Sequence, residues 1–329
     1  ATLPKIRDAA NLALHADAET LETQIELTRI PAPPFREGER GLRMAELFRE
    51  AGLVRVRTDG AGNVLAEFPG APPGPPLVLA AHLDTIFPEG TDISVTESEG
   101  RILGPGIADD GRGLAVILAV ARALVRSGLE LPRPLLMVAT VGEEGVGNLR
   151  GVRELFAAGR EGRDALGFIS VDGAGLDQLV SVGLGSCRYR VTVRGPGGHS
   201  WSDWGLPNPI HALGRAVGAL SRAPLSVDPL ATLSIGRWGG GTSVNAIPGE
   251  AWLEVDIRSA SPAALADVDQ MFQRTVTEAV AEMNRELAST DGRLEYELAP
   301  IGSRPAGETD WDSPLLRAAR MATEAVGVR

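Results

Sequence analysis

Three short apolar runs, each followed at once by acidic or imidazole side chains, constrain the fold of this chain most strongly. The runs and the residues that follow them are Leu77–Ala81 with His82-Leu83-Asp84, Leu135–Val141 with Gly142-Glu143-Glu144, and Phe168–Val171 with Asp172-Gly173. Runs of this kind are typical of strands covered on both faces, as in a mostly parallel sheet flanked by helices. Helical patterns near 113–126 and 149–158 lie between them, so the alternation predicts an α/β layered domain.

The N-terminal region predicts helices followed by a hairpin. We expect two helices before about Leu53, broken at Pro31–Pro34, because consecutive prolines cannot continue a helix. A hairpin with its turn near Gly62-Asn63 follows, and then a loop at 69–76 that is rich in proline and glycine.

A second pattern begins at Ser186. Apolar and polar residues alternate over 186–194 and 251–258, which predicts strands with one buried face. With helices near 207–222 and 262–287 and strands near 232–238 and 294–300, the order is β-α-β-β-α-β, a ferredoxin-like unit. We therefore expect residues 184–300 to form a domain inserted into a first domain made of residues 1–183 and 301–329.

Charge and hydropathy exclude two classes of partner. Lys and Arg number 32 against 43 Asp and Glu, a net charge of −11, and there is no basic run. Such a chain is a poor partner for nucleic acid or an anionic membrane. The most apolar helical run, Leu114–Val125, is interrupted by Arg122 and is shorter than the about 20 residues that span a bilayer. We expect neither partner, and the lack of an apolar signal core in the first twenty residues predicts a cytoplasmic protein.

The polar residues that follow the apolar runs predict a metal site. In open α/β sheets, ligands bind beyond the carboxyl ends of the strands, where these imidazole and carboxylate groups would converge. Several buried carboxylates need a cation, since they would otherwise be protonated or destabilising. Asp109, in the glycine-rich segment Gly104–Gly113, is a further candidate. Each pair alone has an ordinary explanation as a surface loop, a solvated face or a helix cap, but their conjunction at successive strand ends indicates a metal site.

The chain also resembles a known family. The motifs on which the resemblance depends are, in chain order, AAHLDT, GPGIADDGRG, TVGEEG, SVDG, GPGGHSW and NAIPGEAWLEVDIRS. Together they resemble the M20 family of clan MH metallopeptidases and deacylases, of the glutamate carboxypeptidase, peptidase T and succinyl-diaminopimelate desuccinylase types. The resemblance runs from about residue 22 to the end. It implies a zinc-peptidase-like catalytic domain whose mixed sheet lies between helices, an inserted lid or dimerisation domain, and two divalent metal ions, zinc foremost, with cobalt or manganese as alternatives.

The resemblance also implies roles for the residues at the strand ends. His82 and Asp172 would hold one zinc, Glu144 a second, and Asp109 would bridge the two. Two dications about 3.5–4 Å apart share a carboxylate and lower the pKa of water between them. The remaining implied roles are a general base, Glu143, and an acceptor, Asp84, whose carboxylate takes a hydrogen bond from the His82 ring and fixes its tautomer.

Three residues of the 184–300 segment complete the implied site. His199 would donate to the substrate carbonyl or oxyanion, commonly across a homodimer from the partner subunit. Asn245 and Arg258 match positions that hold the substrate, and Arg258 falls on the polar face of its strand, where it could bind a carboxylate. A solvated arginine is the equally open alternative.

The chain departs from the family pattern in three places. Gly111 replaces a lysine that many members carry two residues after the bridging Asp, and the family's last metal-binding His has no counterpart before Arg329. We therefore expect a chain truncated at its C-terminus, whose 329-residue form has an incomplete second metal position, a defect that can cost it activity. The next predicted metal ligand after the Glu pair is Asp172 rather than Glu. In the family, Asp at this position accompanies aminopeptidase-like members, so the resemblance favours an aminopeptidase or tripeptidase.

The sequence thus predicts an M20 exopeptidase that hydrolyses small peptides. The first alternative is an N-acyl-amino-acid deacylase or carboxypeptidase, whose substrate would be an N-acyl amino acid or a peptide. The second is an inactive homologue that binds metal or peptide, which the missing His favours and Glu143 opposes.

Overall fold

The structure is a computed structural model that describes residues 2–173, 175, 178–287, 292–325 and 327. Its contacts divide the chain into two compact units, Ala1–Gln178 and Leu179–Arg329, called here the first and second unit. No helix in the described ranges is both long and apolar enough to cross a membrane.

The first unit contains five α-helices, one short 3-10 helix (Gly145–Gly147) and seven strands within its described residues. The helices are α1 (Thr2–Leu14), α2 (Asp17–Thr28), α3 (Gly38–Glu50), α4 (Gly111–Arg126) and α5 (Arg150–Leu155). The strands are β1 (Val54–Thr58), β2 (Val64–Glu67), β3 (Leu77–His82), β4 (Thr96–Ser98), β5 (Arg101–Leu103), β6 (Leu135–Thr140) and β7 (Gly167–Ser170).

Five of these strands form one mixed sheet, in the order β1-β2-β6-β3-β7. The three predicted apolar strands are parallel neighbours, since β3 pairs in parallel with β6 and with β7, whereas the β1–β2 hairpin is antiparallel. The register aligns His82 with Thr140, so β3 and β6 end at the same edge. The predicted α/β sheet is confirmed, and it delivers the residues after these strands to one place.

Apolar residues cover both faces of this sheet. On one face, Phe48 of α3 and Ile117 of α4 pack with Met137 of β6. On the other face, Leu155 of α5 packs with Val138. Burial on both faces explains why the strands lack polar alternation.

The N-terminal region has one more break than we expected. The segment before the prolines is two helices, because α1 ends at Leu14 and α2 begins at Asp17. Neither glycine nor proline marks this break. The signal present is electrostatic, since Asp17 and Glu19 occupy the first turn of α2, where acidic side chains favour a helix start.

The second unit contains the ferredoxin-like order. Its elements within the described residues are β8 (Val182–Gly183), β9 (Gly185–Arg194), β10 (Gly198–His199), α6 (Pro209–Leu220), β11 (Ala231–Gly240), β12 (Ala246–Ile247), β13 (Glu250–Ser259), α7 (Pro262–Glu286), β14 (Glu295–Arg304), β15 (Gly307–Glu308) and α8 (Pro314–Ala325). Four long strands form an antiparallel sheet in the order β11-β13-β9-β14. Helices α6 and α7 pack on it around Leu213 and Phe272.

The boundaries of the units differ from the predicted domains. Residues 301–329 were expected to return to the first domain, but the contacts group them with the second unit, whose residues 288–291, 326, 328 and 329 lie outside the described ranges. Strand β14 continues beyond residue 300, where the sequence predicted its end. It can do so because β14 is an edge strand, where proline is tolerated, and because the ladder shifts register after Pro300. Strand β15 then pairs with β8 of the same unit. That residues 184–300 act as an inserted lid or dimerisation domain stays a prediction.

Candidate metal centre

The first unit brings together all the predicted metal ligands. His82 is the last residue of β3, and Asp109 comes just before Asp110, the N-cap residue of α4. Glu143 and Glu144 follow β6, and Asp172 follows β7. The parallel strands carry these side chains to one edge of the sheet, as the spacing predicted.

His82 lies at the centre of the cluster and is buried. Its Nδ1 is 2.9 Å from the carbonyl oxygen of Asp84, so Nδ1 carries a proton and donates it. Its Nε2 faces two carboxylates, at 2.9 Å from Asp109 Oδ1 and 3.8 Å from Asp172 Oδ1. The ring therefore turns its metal-binding nitrogen toward the acidic side chains.

The charges in this cluster shift one another's pKa values. Burial alone would lower the pKa of His82, but the nearby carboxylates of Asp109 and Asp172 outweigh burial and raise that pKa above its usual range. The nearby His82 ring in turn lowers the pKa of Asp172. Burial, and then the charge of Asp109, raise the pKa of Glu144. The cluster holds more negative charge than one imidazole balances, which is the electrostatic setting of a cation site.

Two groups of side chains could each hold a metal ion. Their donor atoms lie within 4.8 Å of one another, one group being His82, Asp109 and Asp172, the other His82, Glu143 and Glu144. Elsewhere in the described ranges no further group of three His, Cys, Asp or Glu side chains meets this distance. One imidazole with several carboxylates is a donor set that suits zinc and related divalent ions. The residues present therefore fit the metal that the sequence predicted.

Asp84 contacts different groups from those expected. Its carbonyl, rather than its carboxylate, accepts the His82 hydrogen bond, since Asp84 Oδ1 lies 3.6 Å from Nδ1, beyond hydrogen-bonding distance. The carboxylate instead accepts the backbone N–H groups of Glu143, at 2.9 Å, and Glu144, at 2.8 Å. Asp84 thus fixes the tautomer of His82 through the main chain and orients the Glu pair with its side chain.

Asp110 supports the site, although the sequence suggested only a helix cap. It caps α4 by accepting the N–H of Gly113 at 2.9 Å, and its other oxygen accepts the N–H of His82 at 2.9 Å. Burial raises its pKa to about 8. One carboxylate therefore ties the start of α4 to the end of β3, next to Asp109.

Arg40 was missed altogether. It is 1% exposed, yet it donates to backbone carbonyls only, those of Ile30 at 2.5 Å and Leu83 at 2.7 Å among them. Burial lowers its pKa to about 10 against the opposing charge of Asp84. Through the carbonyl of Leu83, Arg40 holds the backbone between His82 and Asp84. No signal in the sequence indicated this role, because an arginine on an amphipathic helix is normally solvated.

The second unit places His199 and Asn245 side by side. Strand β10 pairs with β12, with His199 opposite Ala246, and the Asn245 carbonyl accepts the N–H of Ser200. His199 is exposed, and its Nδ1 accepts the N–H of Trp201 at 3.2 Å. The proton of a neutral His199 is therefore on Nε2, which can donate to another group.

Arg258 is not brought to the same place within the second unit. It lies eight positions beyond Glu250 on β13, about 26 Å at the usual rise of a strand, whereas β12 ends just before β13 begins. Its Nε donates to Asp256 at 2.7 Å, and Arg188 donates to the same carboxylate. The structure thus gives Arg258 an ion pair on its own strand.

Proteins of known class resemble this chain over most of its length. Acetylornithine deacetylase of Proteus mirabilis is 29% identical over 234 residues, which are 67% of this chain and 58% of that protein. A tripeptidase of Staphylococcus aureus has the same fold, with a TM-score of 0.73, 22% identity, and coverage of 95% of this chain and 82% of that one. The YXEP protein of Bacillus subtilis, a dinuclear metal-binding peptidase of the M20 family, aligns with a TM-score of 0.64, 20% identity, and coverage of 95% and 80%.

A family model provides the decisive match. The model of peptidase family M20/M25/M40 matches residues 78–329, which include every predicted site residue. The resemblance drawn from the motifs is therefore confirmed, and with it the class, a hydrolase of peptide or amide bonds. On this match, the chain belongs to peptidase family M20/M25/M40.

Proposed function

We propose that this chain is a di-zinc exopeptidase that hydrolyses small peptides. The observation that carries the proposal is the convergence of His82 with four carboxylates at one edge of the sheet of the first unit. Cobalt or manganese would suit the same donors. In the arrangement we propose, His82 and Asp172 would hold one ion, Glu144 would help to hold the other, and Asp109 would serve both.

When bound, the two ions would polarise the scissile carbonyl and the attacking water. Glu143 serves as the general base and then as the general acid. Its carboxylate accepts a proton as the water oxygen bonds to the carbonyl carbon, and it passes that proton to the amine nitrogen as the C–N bond breaks. Asp84 supports this step because it holds the backbone N–H of Glu143.

His199 completes the proposed reaction as a donor to the oxyanion. Its Nε2 proton is available because Nδ1 accepts a backbone N–H. We propose that it serves the site of a partner subunit in a homodimer, with Asn245 beside it. Two inactive variants, His199→Ala and Glu143→Gln, should then partly restore hydrolysis after exchange of subunits. Proven exchange without recovery would contradict the shared site.

The first test is the Glu143→Gln variant. It should keep the zinc content of the wild type and lose about 10²–10⁴-fold in hydrolysis, the usual cost of removing a general base. The exposed Glu130→Gln is a matched control that should change neither measurement. Loss of zinc together with the rate would instead identify Glu143 as a metal ligand.

A deacylase is the second candidate, and the similarity to acetylornithine deacetylase favours it. Arg258 would then bind the carboxylate of an N-acyl amino acid. A panel of tripeptides, dipeptides and N-acyl amino acids, assayed with zinc, cobalt and manganese in turn, separates the two. Hydrolysis of N-acyl amino acids alone would replace the exopeptidase proposal.

A further inference from the structure

Four consecutive backbone amides beyond β6 are all held by side chains. The amide segment, Val141–Glu144, starts just after the strand, and its N–H groups donate in turn to Asn63 Oδ1 at 3.0 Å, Glu37 Oε1 at 3.0 Å, Asp84 Oδ1 at 2.9 Å and Asp84 Oδ2 at 2.8 Å. Acceptors from three distant parts of the first unit thus fix the peptides that carry Glu143 and Glu144.

Glu37 is the least expected of these acceptors. It is the N-cap residue of α3, is 3% exposed, and does not cap its own helix with its side chain. One carboxylate oxygen accepts the N–H of Gly142, and the other accepts a hydrogen bond from Arg150 at 2.5 Å. A buried carboxylate is costly unless it is paired and hydrogen-bonded, and both of its oxygens are used here.

Arg150 is itself held on two further sides. Its guanidinium donates to the carbonyl of Ala61 at 2.9 Å and lies 5.0 Å from the centre of the Phe35 ring. Arg150 is also the first residue of α5, so the ion pair connects the starts of α3 and α5 across the amide segment.

Gly142 makes this arrangement sterically narrow. Its φ of +62° is a conformation that favours glycine, and a Cβ there would lie 2.6 Å from Cγ of Arg150. Arg150 packs against one side of this peptide, and Glu37 holds its N–H. The backbone immediately before Glu143 therefore has little freedom to shift.

We propose that Glu37, paired with Arg150, is a positioning residue that sets the placement of Glu143 and Glu144. The proposal rests on the proposed function, in which those two residues serve as base and metal ligand. Glu37 does not touch the reacting atoms. It acts through the N–H of Gly142, and a charged acceptor holds that amide more firmly than a neutral one.

The Glu37→Gln variant tests this role, because an amide side chain of the same shape cannot accept from both Gly142 and Arg150. We expect kcat to fall about tenfold or more while KM stays within about twofold, since small displacements of catalytic groups are expensive. Calorimetric titration should show that the variant binds zinc about tenfold more weakly than the wild type. The matched control is Glu39→Gln, an exposed carboxylate on the same helix, which should change neither value.

A double variant separates positioning from simple support of the fold. Arg150→Met alone leaves the Glu37 carboxylate buried and unpaired, so it should lower the melting temperature, and adding Glu37→Gln should recover part of that loss. The proposal predicts that kcat stays low in the double variant although the stability returns. Recovery of kcat together with the melting temperature would overturn it.

Wild-type measurements keep this test distinct from that of the proposed function. If the wild type binds zinc but hydrolyses no peptide or N-acyl amino acid, the exopeptidase and deacylase proposals fail, and the zinc titration still compares Glu37→Gln with Glu39→Gln. A folded Glu37→Gln variant with the zinc affinity of the wild type, and with its kcat where hydrolysis is measurable, would overturn the positioning role.

Discussion

The two units hold their candidate histidines in opposite ways. In the first unit His82 is 3% exposed and Asp84 fully buried, and neighbouring side chains fix even the backbone amides around them. In the second unit His199 and Asn245 are exposed, next to Trp201, which is 87% exposed.

This contrast indicates which candidate groups are positioned for their proposed roles by contacts within their own unit. Hydrogen bonds within the first unit fix His82 and the backbone that carries Glu143 and Glu144, whereas the side chains of Asp109 and Asp172 are exposed. The candidates of the second unit keep a local order, through the β10–β12 ladder, but turn their functional groups outward. Under the proposed function, they act only when another surface meets them.

Removing a predicted bridging ligand should have the largest effect. Asp109→Ala takes away the carboxylate nearest to His82 Nε2 and should reduce both bound zinc and hydrolysis to background. Metal analysis and an amide-hydrolysis assay check this, with the exposed Asp92→Ala as the control. A variant with full zinc content would contradict this expectation, because the cluster around His82 would then not be the metal site.

His199→Ala tests the role of the exposed histidine of the second unit. We expect hydrolysis to fall about 10²-fold, as for loss of one oxyanion donor, with zinc content unchanged because the residue binds no metal. The control is His211→Ala, an exposed histidine on α6. Kinetics and metal analysis on the same preparations check it, and an unchanged rate would leave the second unit without a role in the chemistry.

Arg40→Met tests how far the stability of the first unit depends on the buried arginine that holds the backbone after His82. The substitution keeps an apolar stem but leaves buried carbonyls without their donor, each costing about 1–3 kcal/mol. We expect the free energy of unfolding to fall by about 2–4 kcal/mol in urea titrations. Arg49→Met, on an exposed position of the same helix, provides the baseline. Equal values for the two would mean that those carbonyls do not need Arg40.

Glu67→Gln should give the smallest effect. The hydrogen bond from Arg55 is the main cause that lowers the pKa of Glu67. Because the folded pKa lies below the unfolded value, the stabilisation is present above about pH 4.3 and is lost as the pH falls through the folded pKa. We expect less than about 1 kcal/mol at pH 7, shrinking toward acid pH, as for other partly exposed ion pairs. Urea titrations at pH 7 and pH 3 check it, and a difference that grows in acid would contradict the sign.

The sequence predicted the strands and the residues at their ends because those signals are local. Apolar runs define β3, β6 and β7, and the acidic residues follow within two to four positions. Glu37 and Asn63 could not be predicted in the same way. Their partners in the chain lie 105 and 78 residues away, and an isolated Glu or Asn carries no pattern that would connect them. The acceptor role of the Asp84 carboxylate was hidden for the same reason.

The amide segment has a consequence for the folding and exchange behaviour of the chain. Its N–H groups find their acceptors only after loops of 59 to 105 residues have closed, so these contacts belong to late, long-range assembly. The four amides donate to side chains at the start of α3, in the hairpin turn and after β3 rather than to the sheet ladder. We therefore expect their deuterium uptake to follow cooperative unfolding of the first unit rather than fraying of β6.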